Sequence, residues 1–407
     1  MTQAAAIKTN SESSSRASRI FSSILGYGVL AITLGMLLFF LIIPVGVIMV
    51  KAFYDGETFT LRYFELLFQN QLQTAAILNS LWVGFYTVIF TTLLTIPLAI
   101  ITVKFNFFGK SLLSGLLLVP LVMPPFVGAI GFQRFFGKFG SVNLWLMEWG
   151  WIDSPIEWLG DSNLLWAVVI LEVLHLYPIM YLNLTAALAN VDPSMEEMAH
   201  LTGAGRFRTF KDIVWPLARP GYFAGVIIVF IWAFTDLGTP LLVGYHETIP
   251  VRIFNMVTDI NENPVGFALV FIVVILTVSI FLISKTMFSG NKYQMLAKGH
   301  VTDTSIKAGP LLTLFFYGVL GTTVLLALIP HISVFITSIS HNWFMTPLPE
   351  EFTLQYYGLI FEQELSVIGI KNSFLLSGLS TLLDLVLGIL IAYVITRKLI
   401  PMSNLLD

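Results

Sequence analysis

Eight stretches of this chain are apolar over about the length that crosses the hydrocarbon core of a bilayer. They lie at about 26–50, 75–103, 111–135, 163–190, 221–243, 266–287, 310–338 and 371–396. Inside hydrocarbon a peptide group has no water to bond, so a lone apolar run satisfies its backbone only as a helix. The pattern therefore predicts an all-α integral membrane protein of eight transmembrane helices. Composition leads to the same class, because 11% charged residues fall far short of the roughly 25% of a water-facing domain. A net charge of −3, with no dense basic tract, gives no case for nucleic acid as a partner. The absence of cysteine excludes disulfides, thiolate metal ligands and a cysteine nucleophile. Pro97, Pro120 and the Pro124-Pro125 pair predict kinked helices. The Ser-rich start, residues 1–25, reads as a disordered tail, and the first apolar run as an uncleaved anchor.

Lys and Arg orient the chain. With the N-terminus in the cytoplasm, fifteen of them fall on inside segments and six outside, as the positive-inside rule requires. Trp145, Trp149, Trp151 and Trp158 then lie on one outer loop, at 137–162, where indole rings favour the headgroup boundary.

The chain also repeats itself. TLRYFELLFQN from Thr60 aligns without gaps with TLQYYGLIFEQ from Thr353, an offset of 293 residues that also carries Asn79-Ser80 onto Asn372-Ser373 and Lys104 onto Arg397. This predicts two parallel copies of one unit: a first at 26–287, a polar cytoplasmic linker at 288–309, and the first two helices of a second copy at 310–407. Against its own symmetry the sequence reads as incomplete. A truncated gene, a fragment and an eight-helix protein in its own right all fit that pattern.

Between the fourth and fifth runs lies the stretch EEMAHLTGAGRFRTFKDIVWPLARPG, Glu196 to Gly221, on the cytoplasmic side. Asp192 with Pro193 at the first helical position, or Ser194 with Glu197 as a capping box, starts a helix there. Gly203 and Gly205 allow a sharp stop. A second short helix follows, with Phe207, Phe210 and Ile213 or Val214 on one stripe and Pro216 as its end. The segment is either a solvated loop with two surface helices or a docking element that offers apolar knobs to a cytoplasmic groove.

Glu197-Met198-Ala199, then Gly203-Ala204, Ile213 and Pro216, with Pro220-Gly221 beyond, resemble the EAA loop of the permeases of ATP-binding-cassette importers. Met198 stands where that motif has its first alanine. The resemblance implies a type I importer fold for the six-helix copy, with residues 192–221 as its coupling loop. It also implies that Glu197, Ala199, Gly203, Ala204, Ile213 and Pro216 meet a cytoplasmic ATPase. The further implied partners are a pair of such ATPases, an external solute-binding protein, the bacterial inner membrane and a possible second permease chain. ATP would be hydrolysed by the partner. The one fragment like a phosphate-binding loop, Gly109-Lys110-Ser111, has Lys104 where the first glycine of that motif belongs, so no cofactor, catalytic or metal residue is expected. The segment TDLGTPLLVGY, from Thr235, is similar to the ferric-iron importers; phosphonate, thiamine and polyamine permeases are related alternatives.

Polar groups inside apolar runs are costly and mark pathways or structural pairs. Glu172 and His175, three apart on one helical face, are either lining residues or a mutually bonded pair. Asp236, with Thr239 close by, is either a pathway group or a helix cap. An ion-coupled secondary transporter using Glu172, His175 or Asp236, and an inactive remnant, are the competing readings.

Overall fold

A computed structural model describes residues 23–257, 264–288 and 306–401. The expected tail lies outside the described residues up to residue 22, and the expected linker between 289 and 305. Among the described residues, seven helices are long and apolar enough to cross a bilayer. They are α1 (Ser23–Lys51), α2 (Gln71–Lys104), α3 (Leu164–Ala189), α4 (Arg206–Thr235), α5 (Val265–Ser284), α6 (Pro310–Ser338) and α7 (Glu364–Arg397).

An eighth span exists only as a broken one. The kinked helix expected at 111–135 is two separate pieces, Lys110–Val122 and Pro125–Glu148, set at 96° to each other. The cause is local: Met123 and Pro124 both have extended backbone, with ψ of 137° and 135°. The residue before a proline is pushed out of the helical region, and two prolines in sequence enforce this twice.

The fifth span also differs from expectation. It begins at Arg206 and ends at Thr235, where Asp236 turns extended (ψ 130°), and a separate short helix follows at Gly238–Val243. Pro216 does not end the helix that precedes it. The turn Phe210–Val214 is widened to a π-helix, so that the Trp215 amide bonds the Phe210 carbonyl five residues back. The wider turn makes room for the following Pro216 ring, which an ordinary α-turn would crowd. The same device recurs in α1, where the π-turn Leu38–Ile42 precedes Ile43 and Pro44.

At the offset of the sequence repeat, two pairs of helices share their bounds. The offset of 293 carries the short helix Arg62–Gln69 onto Gln355–Glu362, and α2 onto α7 at both ends. The residues before the two helices share backbone angles, φ −83° and ψ 109° at Asn70 against φ −83° and ψ 111° at Gln363, while the C-caps differ: Phe105 is extended and Lys398 left-handed.

Contacts group the chain into two units. In one, spanning up to Lys51 and from Gln355, α1 and α7 share a small core of Val29, Leu30, Val394 and Ile400. The other, Ala52–Leu354, holds the remaining long helices. There α2, α3 and α4 pack on one another, and Pro125–Phe136 packs on α6. Small residues permit this: a Cβ at Gly225 would come within 3.1 Å of the Met180 backbone, and one at Gly84 within 3.0 Å of Phe230. Close backbone approach is what joins helices in lipid, where no hydrophobic drive exists between them. One core cluster includes Leu98, Tyr177, Leu184, Val214, Ala218 and Leu320; another includes Val83, Ala129, Phe132, Leu176, Val229 and Val243.

The loop at 137–162 is pinned by one side chain. Asn143, fully buried, donates to the carbonyls of Lys138 (3.0 Å) and Ile156 (2.8 Å) and accepts from the Ile156 amide (3.1 Å) and the Trp158 indole (2.9 Å). Trp145, Trp149 and Trp151 form a contiguous aromatic row beside it.

Candidate functional site

The charged segment folds as a helix, a glycine turn and a second helix. Of the two possible starts, the structure uses Asp192: its carboxylate accepts the Ser194 amide at 2.9 Å, and Pro193 opens the helix Pro193–Leu201. That hydrogen bond, the largest influence on the Asp192 carboxyl, holds its pKa below the usual value. At the far end Gly203 has φ +87°, a conformation open to glycine at little cost. The Gly203 amide bonds the His200 carbonyl and the Ala204 amide bonds that of Ala199, at 3.0 and 2.9 Å. Gly205 has ordinary negative φ (−71°) and starts α4, so only one of the two glycines is needed for its conformation.

The two limbs enclose a cleft of ≈ 650 Å³ lined by Met195, Met198, Ala199, Gly203, Ala204 and Ile213, among others. Ala199 is buried at 8% exposure, whereas Leu201 and Phe207 stand out at 87% and 80%. Large apolar side chains projecting from a charged element are an interaction surface by composition. Ile213 and Pro216 are half-buried on the second limb, and Glu197 is exposed.

Beside it, Glu196 forms an ion pair with Lys104, the last residue of α2. Sequence reasoning missed this pair. It joins residues 92 positions apart; the one signal for it was the repeat, which keeps a cation at Lys104 and Arg397.

Within the membrane, the structure gathers the four polar residues singled out from sequence. Glu172 is 1% exposed on α3, and Asp236 and Thr239, from the break after α4, lie beside its carboxylate. Asp236 caps the short helix by accepting the Thr239 amide at 2.8 Å. His175 does not bond Glu172. Its Nδ1 faces the Pro120 carbonyl at 3.1 Å, and its ring meets Trp232 edge-on. A further imidazole, His331 of α6, packs against Gly128 and acts on His175 only through its field. Nothing in the sequence joined it to the others, because more than 90 residues separate it from Asp236. Among the described residues, no three His, Asp or Glu side chains are grouped to hold a metal ion.

Residues 92–289 match the family described as binding-protein-dependent transport system inner membrane component. The chain is similar to a ferric transport system permease protein of Actinobacillus pleuropneumoniae, at 27% identity over 89% of this chain and 52% of that protein. It is similar to a molybdenum transport system permease protein of Escherichia coli K12, at 31% identity over 45% of this chain and 79% of that protein. The chain spans about half the length of the ferric transport relatives it matches. A bacterial ABC transporter that imports alginate shares the fold, with TM-score 0.55 at 18% identity over 65% of this chain and 95% of that one.

Proposed function

The chain belongs to the family of binding-protein-dependent transport system inner membrane components, and on that premise we propose that it is a permease of an ATP-driven importer. The observation that carries the reading is the helix and turn at Pro193–Gly203. It is a capped, rigid element with exposed apolar side chains around a cleft, able to transmit a push that a loose loop would absorb. Glu197, Ala199, Gly203, Ala204, Ile213 and Pro216 would meet a cytoplasmic ATPase, one of a pair, and this chain would bind no ATP itself. An external solute-binding protein would deliver the solute, and a second permease chain would complete the pathway where required. The N-terminus would be cytoplasmic, and Glu172, His175, Asp236 and Thr239 would line the path.

Ferric iron is the proposed solute, supported by the ferric transport relatives that match most of this chain. Phosphonate, thiamine and polyamine remain the alternatives. The decisive experiment is co-purification of the ATPase encoded beside this chain, followed by uptake of labelled iron in cells with and without that ATPase. Co-purification with ATPase-dependent iron uptake supports the proposal. Uptake that survives loss of the ATPase but collapses with the proton gradient would replace it with ion coupling through the Glu172 and Asp236 group.

A further inference from the structure

Toward its two ends α2 makes polar contacts that its sequence copy also preserves the means to make. At the cytoplasmic end Lys104 is paired with Glu196 in the first turn of the helix Pro193–Leu201. About two turns in from the other end, Asn79 donates to the Glu247 carbonyl at 3.1 Å, and the Ile249 amide donates to Ser80 Oγ at 2.9 Å. Residues 244–249 connect the short helix Gly238–Val243, which Asp236 caps, to the helix Ile249–Val257. Within the one helix Gln71–Lys104, the stretch from Asn79 to Lys104, about 38 Å long, therefore ties the cytoplasmic helix to the segment beside the intramembrane polar group.

The covalent path to that cytoplasmic helix is less constraining. Only Asn190, Val191 and Asp192 join it to α3, and Glycine 203 interrupts it on the other side. Without the Lys104 contact it could tilt about these joints while α2 stayed still. The charges are partly shielded, at 28% and 23% side-chain exposure, so solvent screens them less than a surface pair.

The repeat gives an independent argument. Few polar positions survive between α2 and α7, and they include Asn79-Ser80 as Asn372-Ser373 and Lys104 as Arg397. These are the positions that contact other elements toward the two ends of α2.

We propose that α2 is a transmission rod, with Lys104 and Glu196 as its cytoplasmic joint and Asn79 and Ser80 as its outer joint. This rests on the proposed permease function. Lys104, Glu196, Asn79 and Ser80 are positioning residues: they carry motion and do not contact solute.

The test uses the natural lack of cysteine. His246→Cys places a single thiol on the exposed outer segment, and its labelling by a membrane-impermeant maleimide is followed in the purified complex with the ATPase, with and without vanadate-trapped nucleotide. Nucleotide is expected to change the labelling rate in the otherwise unmodified chain. Glu196→Gln should shrink that change at least about fivefold, the lower range for coupling between sites, while the ATPase still co-purifies. The exchanged pair Lys104→Glu with Glu196→Lys should restore it, which a loss of folding would not allow. An undiminished response in Glu196→Gln, or no restoration in the exchanged pair, overturns the rod. Failure of the unmodified chain to retain any ATPase overturns the permease reading, and the rod with it.

Discussion

Gly131 and Pro330 meet backbone to backbone: a Cβ on Gly131 would fall inside the van der Waals envelope of the Pro330 carbonyl oxygen. Gly131 lies on the second limb of the broken span, and Pro330 stands inside α6. Only a residue without a Cβ leaves room for that carbonyl, so the two backbones can touch.

Gly131→Ala should therefore destabilise the protein by ~1–3 kcal/mol, the range for overpacking a filled interface. Thermal unfolding in detergent would read this as a lowered midpoint. An unchanged midpoint would mean that the helices part without cost and that the contact is not tight.

At the turn after Pro193–Leu201, Gly203→Ala should cost ~1–2 kcal/mol from the left-handed backbone alone, and Gly203→Asn less. Gly203→Pro goes further, since proline fixes φ near −65° and removes the amide that bonds His200. Co-purification of the ATPase should follow the order Gly, Asn, Ala, Pro. Equal recovery from the natural chain and the three variants would detach the turn from docking. Glu197→Arg tests the adjacent exposed face by the same assay, and weakened recovery is expected.

The cap at Asp192 gives a pH dependence. The carboxyl titrates below its ordinary value because the Ser194 amide bonds the ionised form. Its contribution is thus complete above the unfolded-state pKa and lost as pH falls through the lower, folded value. Hydrogen exchange at the first turn of Pro193–Leu201, corrected for intrinsic rates, should lose protection on acidification in the natural chain. Asp192→Ala should show that reduced protection already at neutral pH, with no further acid step.

Asn143→Leu should lower stability by at least ~2 kcal/mol, because the carbonyls of Lys138 and Ile156 and the Trp158 indole lose their partner in a buried site. The fluorescence of Trp145, Trp149, Trp151 and Trp158 should shift in the same variant. Should stability hold, the loop must be pinned by something other than this side chain.

The long spans were legible because bilayer thickness fixes their length, and the repeat was legible because its polar anchors are few. The two helices at that offset, α2 and α7, run Gln71–Lys104 and Glu364–Arg397, so both start several residues before the apolar runs at 75–103 and 371–396. The bend at Pro124-Pro125 was written in the sequence as well, but an apolar count ignores direction and so joined the two limbs. Pro216 misled for the opposite reason: the residue forbids an ordinary turn, and only the three-dimensional chain shows the π-turn that accommodates it. At the candidate site, Glu172, His175, Asp236 and Thr239 could be picked out one by one from their cost in lipid. Their assembly could not be read, since it depends on the packing of α3 against the break after α4. Nor could Glu196 be preferred to Glu197 as the partner of Lys104, because adjacent residues on a helix point about 100° apart.

Residues Phe105–Asn106 pair in parallel with Ile306–Lys307, and the Tyr317 hydroxyl donates to the Phe108 carbonyl at 2.6 Å. These contacts fasten the start of α6 to the end of α2 without using the chain between residues 289 and 305. A protease cut in that interval would break the polypeptide and leave α6 seated, so the two products should migrate together on a native gel and separate only in denaturant. The same holds for a gene divided at this point: two shorter proteins would carry, in their own surfaces, the instructions for finding each other.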